Sequence, residues 1–179
     1  MAETLGPFER ICVIGCSGTG KSTLARRLGV RMGLPVHHLD AMLWRAGWVM
    51  TDRETEERTQ REVVATDRWI IDGNFGSTMV IRFPRAQAII WLDYPTWLAM
   101  WGVTRRVAHE KGRVRDDMAQ GCPERWDLGF YKWVLEFRQK QRGHILEHIR
   151  DFGSHARLVH ITRRSQLPSA LVQLECPTS

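Results

Sequence analysis

The stretch from Ile11 to Met32 constrains this chain more than any other. A short apolar run, Ile11-Cys12-Val13-Ile14, reads as a buried strand and stops at Gly15. Residues 15–22 then read Gly-Cys-Ser-Gly-Thr-Gly-Lys-Ser, the G-x-x-x-x-G-K-[ST] pattern. A helix is predicted from Lys21, with Leu24, Leu28 and Met32 at helical spacing and Gly33 and Pro35 as stops. Glycines let the backbone curl until consecutive N–H groups face one anion, and the helix aims its positive end at the same point. Such a loop holds the phosphates of a nucleoside triphosphate. Lys21 reaches the β- and γ-phosphates, and the Ser22 hydroxyl serves Mg²⁺. The candidate nucleotide set is Gly15, Ser17, Gly18, Thr19, Gly20, Lys21, Ser22 and Thr23. The dinucleotide fingerprint G-x-G-x-x-G fails, because Thr23 stands where its last glycine belongs.

Further along, short apolar segments alternate with amphipathic ones. Strands are predicted at Val36–Asp40, Trp69–Asp72, Ala88–Asp93 and Arg157–Ile161. Helices are predicted from a Thr51-x-x-Glu54 capping box to about Ala65, and from Thr96 through Arg106. Another carries Trp126, Phe130, Trp133 and Phe137 on one seam, and a weak helix ends the chain. This alternation predicts an α/β fold with a five-stranded parallel sheet covered on both faces. Ligands in such folds sit beyond the C-terminal ends of the strands.

Three of those strand ends carry a carboxylate. Asp40 is placed to accept the proton of an attacking hydroxyl, the alternative being the N-cap of a short helix at Ala41-Met42. Asp72 suits a Mg²⁺ site beside Ser22, the alternative being a turn-starting Asp before Gly73-Asn74. Asp93, before Tyr94-Pro95, reads as turn chemistry. Trp44 and Trp48 follow Asp40 by four and eight residues and are candidate walls of an acceptor pocket. Trp97 with Trp101, and the Trp126–Phe137 seam, read as core.

Arginine dominates the basic residues: 22 Arg against 4 Lys, with a net charge of +6. A GC-rich genome also produces that skew, but position is informative. Arg105 and Arg106 close the helix after strand four, and Arg113 and Arg115 follow in a polar, glycine-flanked segment. Arginines on such a segment can cover a triphosphate and stabilise transferred charge. Arg163 and Arg164, past strand five, are placed to line the nucleotide base or to stay in solvent. The candidate catalytic set is Lys21, Asp40, Arg113 and Arg115. Arg105, Arg106 and Arg163 join the nucleotide set.

No apolar stretch approaches membrane-spanning length, and the first residues carry no leader pattern. The four cysteines (Cys12, Cys16, Cys122, Cys176) outline neither a disulfide framework nor a zinc site. A single cytoplasmic domain over 1–179 is expected, as monomer or homodimer, with no membrane partner and no nucleic-acid partner.

Several longer runs resemble the bacterial proteins known as DNA topology modulation proteins, within the adenylate-kinase-like P-loop group. They are Ile14–Ala25, His38-Leu39-Asp40, Trp69–Thr78 and Asp117–Glu124. The resemblance implies sheet order 2-3-1-4-5, an acceptor-binding insert at about 41–67 and a lid at about 109–125. It adds His38 and Asn74 to Trp44, Trp48, Asp40 and Asp72 on the acceptor side. Asp72-Gly73-Asn74 stands where nucleoside monophosphate kinases have Asp-Gly-Phe-Pro-Arg, and the missing Pro-Arg argues against such an acceptor. Similar small proteins phosphorylate nucleoside antibiotics, including capuramycin-type compounds.

The expected function is Mg²⁺-dependent transfer of the γ-phosphoryl of ATP or GTP to a hydroxyl of a small molecule. A nucleic-acid-associated NTPase and a nucleotide-binding regulator stand as alternatives.

Overall fold

A computed structural model describes residues 8–175. Cys176 and most of the segment read for a leader lie outside the described residues. Five strands form one parallel sheet: β1 (Arg10–Gly15), β2 (Val36–His38), β5 (Trp69–Asp72), β6 (Ala88–Leu92) and β7 (Arg157–Ile161), in the order β2-β5-β1-β6-β7. Counting only these five along the chain, the order is 2-3-1-4-5. The labels differ because a small hairpin intervenes, with β3 (Trp44–Arg45) antiparallel to β4 (Val49–Met50). Two-residue strands carry no readable period, so that hairpin was invisible to patterning.

Strand alternation divides the core into two layers. Ile11, Val13, Ile70 and Ile90 face α1 (Lys21–Met32) and α7 (Leu167–Glu175) through Leu24, Leu28 and Leu174. Cys12, Ile14, Ile71 and Ile89 face the other way. That second layer is covered by α2 (Leu39–Leu43), α3 (Arg53–Ala65), α4 (Met79–Arg82), α5 (Thr96–Glu110) and α6 (Leu128–Phe152). Among the described residues, no helix is long and apolar enough to cross a membrane.

Several local expectations are corrected. Helix α3 begins at Arg53 with Asp52 as its N-cap, whose carboxylate accepts from the Thr55 N–H at 2.8 Å, not with a box opened by Thr51. Strand β2 ends at His38, and Asp40 lies inside the first turn of α2, so it is not the cap. Trp97 and Trp101 are 69% and 49% exposed, because α5 packs through Ala99, Val103 and Val107 on the adjacent face. Trp126 lies before α6 and is exposed, as is Trp133, while Phe137 is buried. Helical spacing identified a shared face but not which face the core covers.

Asp93 is no turn residue. It is buried and accepts hydrogen bonds from Arg138 Nε (3.0 Å) and Arg142 Nε (2.9 Å), both on α6, and lies 3.0 Å from His160 Nε2 on β7. Burial pushes its carboxyl up, and the Arg142, His160 and Arg138 hydrogen bonds outweigh that and hold it below the usual range. One carboxylate thus ties the long helix to the sheet edge.

Candidate active site

The loop after β1 is held by close backbone packing. A Cβ on Gly18 would lie 2.3 Å from the Ala99 carbonyl oxygen, and one on Gly102 would lie 2.0 Å from that of Gly18. Two glycines therefore let α5 touch the loop directly, which brings Arg106 to it. The Thr19 hydroxyl donates to the Cys16 carbonyl at 2.7 Å, and Lys21 Nζ donates to the same oxygen at 3.0 Å. Thr19 is thus turned inward, while Gly20 and Thr23 are exposed at the start of α1. Burial, chiefly, pushes the Cys16 thiol up to about 11 and the Cys12 thiol up to about 12, so neither is a thiolate nucleophile at neutral pH.

Parallel register sets the next group. Asp72 lies opposite Val13 on one side and His38 on the other. His38 Nδ1 and Asp72 Oδ2 are consequently 2.8 Å apart. The other carboxylate oxygen of Asp72, Oδ1, is buried with no partner. Two residues on, Asn74 Oδ1 accepts from the Gly15 N–H at 3.3 Å, tying the loop after β5 to the glycine-rich loop after β1.

A cavity of about 620 Å³ opens over these elements. Gly15, Ser17, Lys21, Asp40, Trp44, Trp48, Asn74, Arg106 and Arg115 line it. Burial is the main reason the Asp40 carboxyl is pushed up, with Asp72 and Asp117 adding to the rise and Lys21 and Arg115 opposing it. A carboxyl raised in this way is a stronger base than a solvated one once it is ionised.

The segment 111–127 folds back over the loop. Arg115 pairs with Asp117 (2.9 Å) and Glu124 (2.7 Å), and Arg106 lies 3.1 Å from the same Glu124 oxygen. Arg106 Nη1 also donates to Ser17 Oγ at 3.2 Å. Asp117 is buried. Burial raises its carboxyl, but Arg115 and a Ser22 hydroxyl hydrogen bond outweigh this and lower it. Arg113 is placed elsewhere: its backbone bonds Glu110 and Glu124, and its side chain is exposed outside the cavity. Arg105 and Arg164 lie over the Trp101 ring at 5.4 and 5.6 Å, and both are exposed, as is Arg163.

Asp117, Glu124 and Arg82 were missed as site residues from the sequence. Asp117 and Glu124 sit in an irregular segment where no period marks an inward position; only the resembling run contained them. Arg82 is fully buried and holds the loop after β5. It donates to Gln60 Oε1 (2.8 Å), Thr78 Oγ1 (3.2 Å) and the carbonyls of Gly73 (3.2 Å) and Asn74. Removing one member of a buried charged network costs about 3–5 kcal/mol. We expect Arg82→Met to lower Tm by roughly 6 °C or more by calorimetry at this chain length. An unchanged Tm would show that Arg82 does not support the loop.

No protein-family model matches the chain, and no curated protein matches it. Solved structures do. Shikimate kinase from Acinetobacter baumannii in complex with shikimate aligns over 95% of this chain and 94% of its own, with TM-score 0.62 and 14% identity. This chain shares its fold with shikimate kinase. The Bacteroides thetaiotaomicron shikimate kinase aligns over 93% of this chain and 96% of its own, with TM-score 0.55 and 17% identity. A gluconokinase from Sinorhizobium meliloti 1021 aligns over 97% and 95%, with TM-score 0.52 and 16% identity. At these identities the likeness establishes the α/β fold alone.

Proposed function

We propose that the chain is a phosphotransferase that moves the γ-phosphoryl group of ATP or GTP to a hydroxyl of a small molecule. The observation that carries this reading is that Lys21 of the phosphate loop and the raised carboxyl of Asp40 line one cavity. Asp40 takes the acceptor hydroxyl proton as the new O–P bond forms. The bond from the γ-phosphorus to its bridging oxygen breaks, and that electron pair leaves with the nucleoside diphosphate. Lys21, the loop N–H groups and the α1 N-terminus face the charge that develops. Arg106 and Arg115, held at the mouth by Glu124 and Asp117, are within reach of the transferred group.

The unpartnered Asp72 Oδ1 fits a Mg²⁺ site. Ser22 and Asp72 would hold the ion, which when bound neutralises charge on the β- and γ-phosphates. Among the described residues, no three His, Cys, Asp or Glu side chains form a metal cage. The His38 contact orients Asp72 from behind. Arg105 and Arg164, stacked on Trp101, would flank the nucleotide base. Such a reaction belongs where nucleoside triphosphate is abundant, the cytoplasm. The sequence resemblance extends the acceptor to natural products of the nucleoside-antibiotic type.

The test is a mass-spectrometric screen for a product heavier by about 80 Da, one HPO₃, across nucleosides, sugars and antibiotics with ATP and GTP. Transfer to at least one alcohol is expected. Nucleotide binding with no phosphorylated product across the panel would favour a nucleotide-binding regulator instead.

A further inference from the structure

The cavity that Lys21 and Asp40 line is also walled by rings supplied by three separate elements. The β3–β4 hairpin brings Trp44 and Trp48, edge to face with centroids 5.8 Å apart. The first turns of α6 bring Phe130 and Trp133, stacked at 5.8 Å, with Phe137 edge-on to Trp133 at 5.0 Å. The loop after β5 brings Phe75.

Two of these rings are held at conformational cost. Among the described residues, Trp48 (φ +64°) and Phe75 (φ +26°) are the non-glycine residues with positive φ, and both line the cavity. Bulky side chains avoid that region, and such residues persist only where surrounding contacts over-determine them. The contacts are present. Trp48 Nε1 donates to the Pro123 carbonyl at 3.2 Å, the Gly47 N–H donates to Gly121 O at 2.9 Å, and Cys122 Sγ donates to Arg45 O at 3.0 Å. The hairpin is thus clasped to the 111–127 segment so that its indoles point into the cavity.

The cationic groups of this wall are already neutralised. Arg115 and Arg106 pair with Asp117 and Glu124, and Arg125 pairs with Asp127 at 3.2 Å while lying 5.7 Å over Trp48. An acceptor carboxylate would have to displace these partners. A polyol would leave its hydroxyls against aromatic faces, unpaired and desolvated.

We infer that the acceptor is an uncharged alcohol bearing a planar aromatic or heteroaromatic ring, and not a carboxylate-bearing polyol such as shikimate or gluconate. The ring lies among the aromatic side chains, and its hydroxyl arm reaches Asp40. This rests on the phosphotransferase reading. The aromatic wall makes the choice between flat rings and charged polyols.

Calorimetric binding of 2-phenylethanol, adenosine, uridine, shikimate and gluconate, with the chain saturated in ADP and Mg²⁺, tests it. At least one ring-bearing alcohol is expected to bind tenfold or more tighter than shikimate and gluconate. Trp133→Leu and Trp48→Phe should each weaken that binding several-fold with ADP affinity kept. Trp133 is exposed enough for its replacement to fold, which a melting curve verifies. Equal or tighter binding of shikimate or gluconate overturns the inference, as does ring binding that neither variant affects, or no ring binding at all. Running the same panel with ATP separates the two readings. Efficient phosphorylation of gluconate or shikimate overturns the aromatic acceptor and sustains the kinase. Ring binding without transfer sustains the aromatic site and counts against the kinase.

Discussion

Lys21→Ala is expected to lower turnover by at least about 10²–10³-fold, the range seen when one preorganised donor to a developing charge is removed. The ammonium sits at the start of α1 and lines the cavity, donating at 3.0 Å to a loop carbonyl. With triphosphate bound, it exchanges that carbonyl for phosphate oxygens. The loop N–H groups remain, so nucleotide affinity should fall less than kcat. Stability should change little, since one half-buried hydrogen bond contributes only about 0.5–1.5 kcal/mol. Lys21 is also the largest influence lowering the Asp40 carboxyl, so its removal lets that group rise further. Steady-state kinetics, nucleotide titration and a melting curve on one preparation read all of these. A folded variant with unchanged turnover would sink the phosphate-loop assignment.

Asp40→Asn is expected to lower kcat by about 10²–10⁴-fold, the usual worth of a positioned general base, with nucleotide binding retained. It should at the same time make the protein more stable at neutral pH. Burial raises the folded-state Asp40 carboxyl above its unfolded value. The folded state therefore holds the proton more tightly, and stability falls as pH rises through that window. The Tm advantage of Asn should be absent well below pH 4, where the carboxyl is protonated in both states, and should set in near pH 4 as the unfolded carboxyl titrates. It should grow above that and level off past the raised value. The pH–rate profile of the unmodified chain should show activity rising on an acid limb displaced above the usual carboxylate range, and the variant should lose that limb. Loss of both stability and activity would instead make Asp40 a structural residue. That outcome is not expected, because His38 and not Asp40 is the N-cap of α2, and the part Asp40 plays in the helix is its backbone carbonyl, which Asn keeps.

Residues acting through contiguous backbone were the legible ones. The strand-loop-helix at 11–32 could be read because each part has a local cause: apolar run, glycine curl, helical period. Asp72 could be read because a strand end in a parallel sheet is itself a location, and Asp40 because it stands two residues past one. Asp93 shows the limit. The same argument noticed it, yet its partners Arg138, Arg142 and His160 lie 45 or more residues away in the chain. Arg113 and Arg115 show it again. Two residues apart in an irregular segment, one lines the cavity and the other is exposed. Without a fixed period nothing local separates them.

Taken alone, the sequence determined that this chain folds around a glycine-rich loop of the G-x-x-x-x-G-K-[ST] pattern at the end of a buried parallel strand. Those signals are short-range, and backbone sterics and burial enforce them wherever they occur. Only the tertiary structure decided which arginines face that loop, that Asp117 reaches Ser22, and that rings from a hairpin, a loop and a helix meet in one cavity. Such juxtapositions depend on which faces the core covers, a property of the packed whole that no local window contains.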